Sequence, residues 1–125
     1  MSLIISLHQI EVTDKEQVGG KAFALAISSQ IGMNVPDALC VKTGAYNLFL
    51  NVAGLRERIL LEVNRKNFQE MRWEEMWDAS LRIRNMFLKT PLPPGIAQEL
   101  RSAIKDHFGD KAVVVRSAAP GEDSP

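Results

Sequence analysis

A glycine pair followed at once by a lysine, Gly19, Gly20 and Lys21, stands near the start of the sequence. Apolar residues recur at helical spacing from Lys21 to Ile31, so the pattern predicts a helix that begins at the glycines. The first turn of a helix carries unpaired N–H donors, its dipole favours negative charge, and glycine lets a ligand come close to the backbone. Together with the lysine, these features predict a phosphate site. A turn followed by an exposed lysine explains the same residues, because the spacing of a P-loop is missing.

A second group lies near the other end of the sequence, where the apolar run Val113–Val115 ends at Arg116 and Ser117. The planar fork of an arginine suits two-point contact with phosphate oxygens, and the serine adds a hydroxyl. The acids that follow, Glu122 and Asp123, leave three interpretations open: they pair with the arginine, associate with magnesium, or are solvated. This segment is therefore either a phosphate-binding loop or a loop held together by its own ion pair.

The remaining residues of chemical interest predict no metal centre and no catalytic group. His8 and His107 are far apart in sequence and have no cysteine or clustered acid at ligand spacing. No serine, cysteine or histidine arrangement resembles a nucleophilic triad. The one cysteine, Cys40, cannot form an internal disulfide and lies in an apolar run, which predicts a buried thiol in a reducing cytoplasm.

Composition limits the class of protein. The 125 residues include 15 Lys+Arg and 15 Asp+Glu with both signs interleaved, so there is no broad basic field for nucleic acid or a membrane surface. No stretch approaches the roughly 20 apolar residues that cross a bilayer. With 46% hydrophobic residues, the chain is expected to form one globular domain without nucleic-acid or membrane partners.

The helices and strands around the two candidate segments are predicted from periodicity and from the places of proline and glycine. A strand or a buried extended segment is predicted at residues 3–10, and strands at 38–42 and 112–115. Helices are predicted at 21–31, 43–53, 55–66, 72–89 and 94–108. Gly32 is predicted to stop the first helix, and Asn67 to cap the break between the third and fourth. Four large residues at helical spacing on the fourth helix are predicted to be buried, namely Trp73, Trp77, Leu81 and Leu88.

Taken in order, these segments resemble the nucleotide-binding domain of phosphoenolpyruvate synthase and pyruvate phosphate dikinase. The matching segments are Gly19-Gly20-Lys21-Ala22, residues 35–46 and residues 113–125. The resemblance spans residues 18–125, which is most of the chain. Two places depart from the family pattern, since Asp37-Ala38-Leu39 stands where Pro-Gly-Phe is usual and Ala118 replaces a serine.

The resemblance implies part of an ATP-grasp type domain. With the predicted elements, it leads us to expect an α+β fold in which several helices surround a small mixed sheet. It assigns Lys21 and Arg116 to the phosphates of ATP, accompanied by Gly19, Gly20 and Ser117. ATP and Mg²⁺ are then the cofactors of a larger parent enzyme. Residues 1–125 are expected to form a single partial domain, the N-terminal portion of the parent's ATP-binding domain, with residues 55–108 as a helical subregion.

The resemblance also implies a reaction for the parent. Its ATP-binding domain phosphorylates a histidine on a separate swivelling domain, and the phosphoryl group then passes to pyruvate. The chain is expected to lack the phosphohistidine and pyruvate domains, so that alone it would be inactive and hold no catalytic residue. The same front end occurs in rifampin phosphotransferase and in glucan, water dikinase, which are alternatives. A third alternative is a non-catalytic domain that binds a partner through its helices. The acceptor substrate and the oligomeric state stay open.

Overall fold

The computed structural model describes residues 2–120, which divide into two compact units. One unit holds the residues up to Tyr46 together with those from Pro94 onward, and the other holds Asn47–Pro93. The strands are β1 (Ile4–Ser6) and β2 (Leu39–Val41). The helices are α1 (Lys15–Gln30), α2 (Thr43–Val52), α3 (Leu55–Val63), α4 (Trp73–Lys89) and α5 (Pro94–Phe108). The α+β class expected from the sequence is confirmed.

The first strand is shorter than predicted, and the residues that follow it enter the core of the first unit. Strand β1 pairs antiparallel with β2, with Ile5 opposite Cys40. After Ser6 the chain enters a short 3₁₀ turn, and the Leu7 N–H donates to the Ala38 carbonyl at 3.0 Å. Residues three apart share one side of such a turn, so Leu7 and Ile10 both enter the core, each only 1% exposed. A continuous strand would have placed these two side chains on opposite faces.

Helix α1 is longer than the sequence predicts and is broken within its first half. It begins at Lys15, but Gly19 has φ 83° and ψ 169°, which no helix contains. The segment predicted from Lys21 is therefore the second part of a kinked helix. The predicted stop at Gly32 is confirmed: this residue has φ 91°, and the next N–H, that of Met33, donates to the Ser28 carbonyl at 3.0 Å.

Helix α5 begins and ends as predicted and belongs to the first unit, with β1. Pro94 is its first residue, where the missing N–H costs nothing, and Gly109 follows it at φ 59°. The Glu99 carboxylate accepts a hydrogen bond from the Leu3 N–H at 2.9 Å, which ties the helix to the N-terminal strand. The helical subregion expected at 55–108 is thus shared between the two units.

In the second unit, α3 packs against α4 around a buried acid. Glu62 is 8% exposed, and its carboxylate accepts from Arg82 Nε at 2.9 Å and from Arg65 Nη2 at 3.2 Å. A carboxylate taken out of water needs such partners, because its desolvation is otherwise uncompensated. The break between the two helices is capped as predicted, since the Asn67 side chain accepts from the Gln69 N–H at 3.2 Å.

Replacing Arg82 with alanine is expected to lower the free energy of unfolding by about 1–3 kcal/mol, because Glu62 would lose its shorter contact while staying buried. Arg72→Ala is the matched control. Its partner Glu75 lies on a more exposed surface and keeps Lys66 at 3.1 Å, so a smaller loss than in Arg82→Ala is expected. Urea unfolding of both variants measures the two losses. Equal losses of unfolding free energy in the two variants would show that the burial of Glu62 does not make its ion pair with Arg82 more stabilising.

The predicted buried stripe on α4 is wrong. Trp73 is 70% exposed and Trp77 is 55% exposed, and their rings stack on each other at 5.7 Å between centroids. The other two members, Leu81 and Leu88, are also exposed, and the buried residue of this helix is Ala79. Helical spacing identifies an apolar face but does not say whether another element covers it. A small side chain such as alanine permits the closer approach of a neighbouring helix.

The strand predicted at 112–115 is also absent from the described residues, which have no regular secondary structure after α5. Val114 is 88% exposed and Val115 is 91% exposed. A strand forms only when a neighbour accepts its backbone hydrogen bonds, and neither β1 nor β2 pairs with residues 112–115. The β-branched composition of this run therefore favours an extended segment without providing its partner.

Candidate functional site

The two segments singled out in the sequence meet in the first unit. The Lys21 ammonium donates a hydrogen bond to the Ser117 hydroxyl, with Nζ and Oγ 3.2 Å apart. These residues are 96 positions apart in the chain, so the contact is made by the fold and not by local sequence. The contact places Lys21, which follows the glycine pair, beside the loop that carries Arg116.

The kink at Gly19 determines where Lys21 stands. Because Gly19 leaves the helical conformation, the helix restarts at Gly20, and Lys21 lies in the first turn of the new segment. N–H groups of a first turn have no helical acceptor, and the dipole of the segment favours an anion there. Gly20 and Lys21 thus occupy the position that the sequence predicts for a phosphate site.

The loop after α5 passes close to the backbone of Gly19. A β-carbon on this residue would lie 3.1 Å from the Ala119 nitrogen and 3.2 Å from the Ala119 oxygen, closer than such contacts normally are. Gly19 is also buried. The end of the loop therefore rests in the space that a side chain at position 19 would fill.

Arg116 directly precedes Ser117 and is exposed, so it belongs to the loop that Lys21 contacts. No ion pair of Arg116 occurs within residues 2–120. The acids that the sequence offers as its partners, Glu122 and Asp123, lie outside the described residues. The described part of the site thus places Lys21 beside a hydroxyl of the loop that also carries Arg116, residue types suited to an anionic ligand.

A cluster that sequence reasoning missed connects three separate segments of the first unit. The Asp37 carboxylate lies 2.7 Å from His107 Nε2 and 3.7 Å from His8 Nε2. His107 Nε2 is buried and makes no hydrogen bond within the described residues, so its 2.7 Å contact with Asp37 is an ion-pair contact. The hydrogen-bonding proximity of His107, together with the charges of both histidines, holds the pKa of Asp37 below its ordinary value. The sequence gives no signal for this cluster, since its members are far apart along the chain.

Asp37→Asn is expected to lower the free energy of unfolding by about 0.5–1 kcal/mol at about pH 5, a modest loss because the carboxylate is half-exposed. The pKa of Asp37 is lowered in the folded protein from an ordinary 3.8. Its stabilising contribution is therefore complete above that value and is lost as pH falls below it. Urea unfolding at several pH values should show the wild type and the variant converging in acid.

Asp110→Asn is the control for that comparison, because Asp110 is exposed and makes no ion pair within the described residues. Its unfolding free energy should track that of the wild type at every pH. A constant difference between Asp37→Asn and the wild type down to about pH 2 would contradict the assignment of the loss to the carboxylate charge.

Two further features bear on the chemistry available. Cys40 is buried, and burial raises the pKa of its thiol, which disfavours the thiolate. Within residues 2–120, no three histidine, cysteine or acidic side chains are grouped so as to hold a metal ion. In the same part of the chain, none of the helices is both long and apolar enough to span a bilayer.

Comparison with known proteins gives a consistent result. A family model described as pyruvate phosphate dikinase, AMP/ATP-binding domain, matches residues 15–125. The match begins at the first residue of α1 and includes both segments of the candidate site.

Individual relatives are similar over nearly the whole chain. Rifampicin phosphotransferase of Bacillus subtilis is 27% identical over 99% of this chain and 14% of its own length. Phosphoenolpyruvate synthase of Escherichia coli is 27% identical over 98% of this chain and 16% of its own length. The corresponding enzyme of Aeropyrum pernix is 35% identical over the same shares. The chain thus spans about one seventh of the length of these curated relatives.

Proposed function

We propose that this chain, which belongs to the pyruvate phosphate dikinase AMP/ATP-binding domain family, holds the triphosphate of ATP between its kinked helix and the loop after α5. In this proposal Lys21 and Arg116 neutralise phosphate oxygens. Gly20 offers first-turn backbone donors, Gly19 lies at the break that creates them, and Ser117 contributes its hydroxyl. The chain is then the N-terminal portion of the ATP-binding domain of a longer enzyme.

The observation that carries the proposal is the hydrogen bond between Lys21 and Ser117. Two segments that resemble one nucleotide-binding family at opposite ends of the sequence are in contact, as a shared ligand site requires. An ammonium that donates to a hydroxyl can exchange that partner for a phosphate oxygen, which is a stronger acceptor for it. The contact therefore holds Lys21 at the site until the nucleotide arrives.

The parent enzyme is proposed to transfer a phosphoryl group from ATP to a histidine of another domain and from there to pyruvate. Phosphoryl transfer needs mainly positioning and neutralisation of charge on the phosphate oxygens. The residues of this chain supply both, since they bind and orient the triphosphate. Magnesium is proposed to enter with the nucleotide and to neutralise part of its charge. The phosphohistidine and pyruvate domains are proposed as the partners of this one.

A second candidate function has the same ATP-binding domain and a different phosphoryl acceptor. Rifampicin phosphotransferases of Bacillus subtilis and of a Streptomyces species are 27% and 31% identical to the chain, and the phosphoenolpyruvate synthases of Escherichia coli and Aeropyrum pernix are 27% and 35% identical. Because the acceptor is bound by another part of such enzymes, the described residues favour neither one. An activity assay with each compound decides whether the parent enzyme uses pyruvate or rifampicin as its acceptor.

The full-length protein tests the proposal in two steps. Isothermal titration calorimetry with ATP and Mg²⁺ should show binding, and incubation with ATP should give an acid-labile phosphohistidine. Consumption of ATP is then measured with pyruvate or with rifampicin as acceptor. Failure to bind ATP would overturn the proposal, whereas turnover with rifampicin alone would move the chain to the second candidate.

A further inference from the structure

A side chain at Gly19 would meet closer neighbours than one at Gly32, Gly44, Gly54, Gly95 or Gly109. At Gly19 a β-carbon would press on the Ala119 backbone at 3.1 Å, whereas at Gly32 nothing lies within 4 Å. Both glycines have positive φ, 83° and 91°, so both backbones are strained by a side chain. Of these two glycines, only Gly19 must also lack a side chain in order to leave room for the Ala119 backbone.

The segment that uses this space is the one that carries Arg116 and Ser117. Within the described residues this segment has no regular secondary structure, and Val114 and Val115 are almost fully exposed. A loop without a strand partner needs a fixed point to keep its side chains in place. The close approach of Ala119 to Gly19 provides that point, two residues beyond Ser117.

We infer that Gly19 is a positioning residue. Its missing side chain seats the Ala119 backbone and thereby sets the distance between Lys21 and the Arg116–Ser117 pair. Gly19 then acts on the nucleotide through the loop and need not touch phosphate itself. The inference rests on the proposed function for its consequence in ATP binding, but the loop placement stands on geometry alone.

Gly19→Ala tests the inference, with Gly32→Ala as the matched control. Both variants are expected to lose thermal stability, because both place a β-carbon at positive φ. Only Gly19→Ala is expected to displace the loop and to raise the Kd of the full-length protein for ATP, by at least about tenfold. The Kd of Gly32→Ala for ATP should equal that of the wild type.

Loop position is measured by electron–electron double resonance between spin labels at two exposed positions, Ala24→Cys on α1 and Val115→Cys in the loop, after the other reactive cysteines are removed. Gly19→Ala should shift the distance distribution, and Gly32→Ala should not. If Gly19→Ala does not fold, Ala119→Pro serves instead, because it adds a ring carbon to the same backbone nitrogen from the loop side. Its distance distribution and Kd should change in the same way.

An unchanged distance distribution in the folded variants would overturn the inference. A shifted loop with unchanged affinity for ATP would overturn the role of Gly19 in nucleotide binding. A wild type that does not bind ATP, with a loop that still shifts in Gly19→Ala, would overturn the proposed function and leave the loop placement standing. The two failures are therefore distinguishable.

Discussion

Replacing Lys21 with alanine is expected to raise the Kd of the full-length protein for ATP by about 10- to 100-fold. The ammonium lies in the first turn after the kink and reaches the loop that carries Arg116. Its removal takes away one charge-assisted contact with phosphate, which is worth about 1.5–3 kcal/mol. Isothermal titration calorimetry with ATP and with adenosine measures the effect. Adenosine has no phosphate, so its affinity should be unchanged.

Lys105→Ala is the control for this variant, because Lys105 is exposed in the last turn of α5 and belongs to the same unit. It removes an equal charge at a different place on the surface. Its Kd for ATP should stay within about twofold of the wild type, the size expected for long-range electrostatics screened by salt. Equal losses in Lys21→Ala and Lys105→Ala would show that net charge, and not a contact at Lys21, governs binding.

Replacing Leu7 with alanine is expected to lower the free energy of unfolding by about 2–5 kcal/mol. Leu7 is 1% exposed, and it packs in one cluster with Ile10, Val18, Ala26 and Cys40. Truncation would leave a cavity next to the sheet, and the backbone cannot close it easily, because the Leu7 N–H is held by the Ala38 carbonyl. For a domain whose total stability is about 5–15 kcal/mol, such a loss is large.

Chemical unfolding of the full-length protein, followed by a probe in this unit, measures the loss. Ile31→Ala is the control, because the Ile31 side chain is 72% exposed in the same unit. The expected loss there is below about 0.5 kcal/mol. Similar losses in the two variants would mean that the cluster around Leu7 is not the stabilising core of the unit.

Local signals in the sequence are sufficient for most helices. Proline at the start and glycine after the end define α5 (Pro94–Phe108), and Gly32 ends α1, because each of these residues acts on its own backbone. Asn67 likewise caps its own turn. The conformations concerned depend on neighbours within a few residues, which the sequence shows directly.

Signals that depend on distant partners fail in the same sequence. The apolar face around Trp77 has the spacing of a buried stripe, yet it is exposed. The valines before Arg116 have strand character, yet no described strand pairs with them. Neither periodicity nor propensity contains the identity of the element that would cover or pair with a segment.

The candidate site lies between these two cases. Residue types suggest phosphate binding at Lys21 and at Arg116 separately, but only the fold shows that Lys21 meets the loop at Ser117. The roles of these residues toward ATP remain a prediction. Two further contacts join residues that are far apart in the sequence, namely Ala119 with Gly19 and Asp37 with two histidines. No spacing in the sequence predicts either of them.

The most direct test of ATP binding at Lys21 and Arg116 is a crystal structure of the full-length protein with Mg²⁺ and a non-hydrolysable ATP analogue. We expect Lys21 Nζ and the Arg116 guanidinium both to lie within about 3.2 Å of oxygens on one triphosphate. A triphosphate bound away from α1, or one that touches neither side chain, would contradict it.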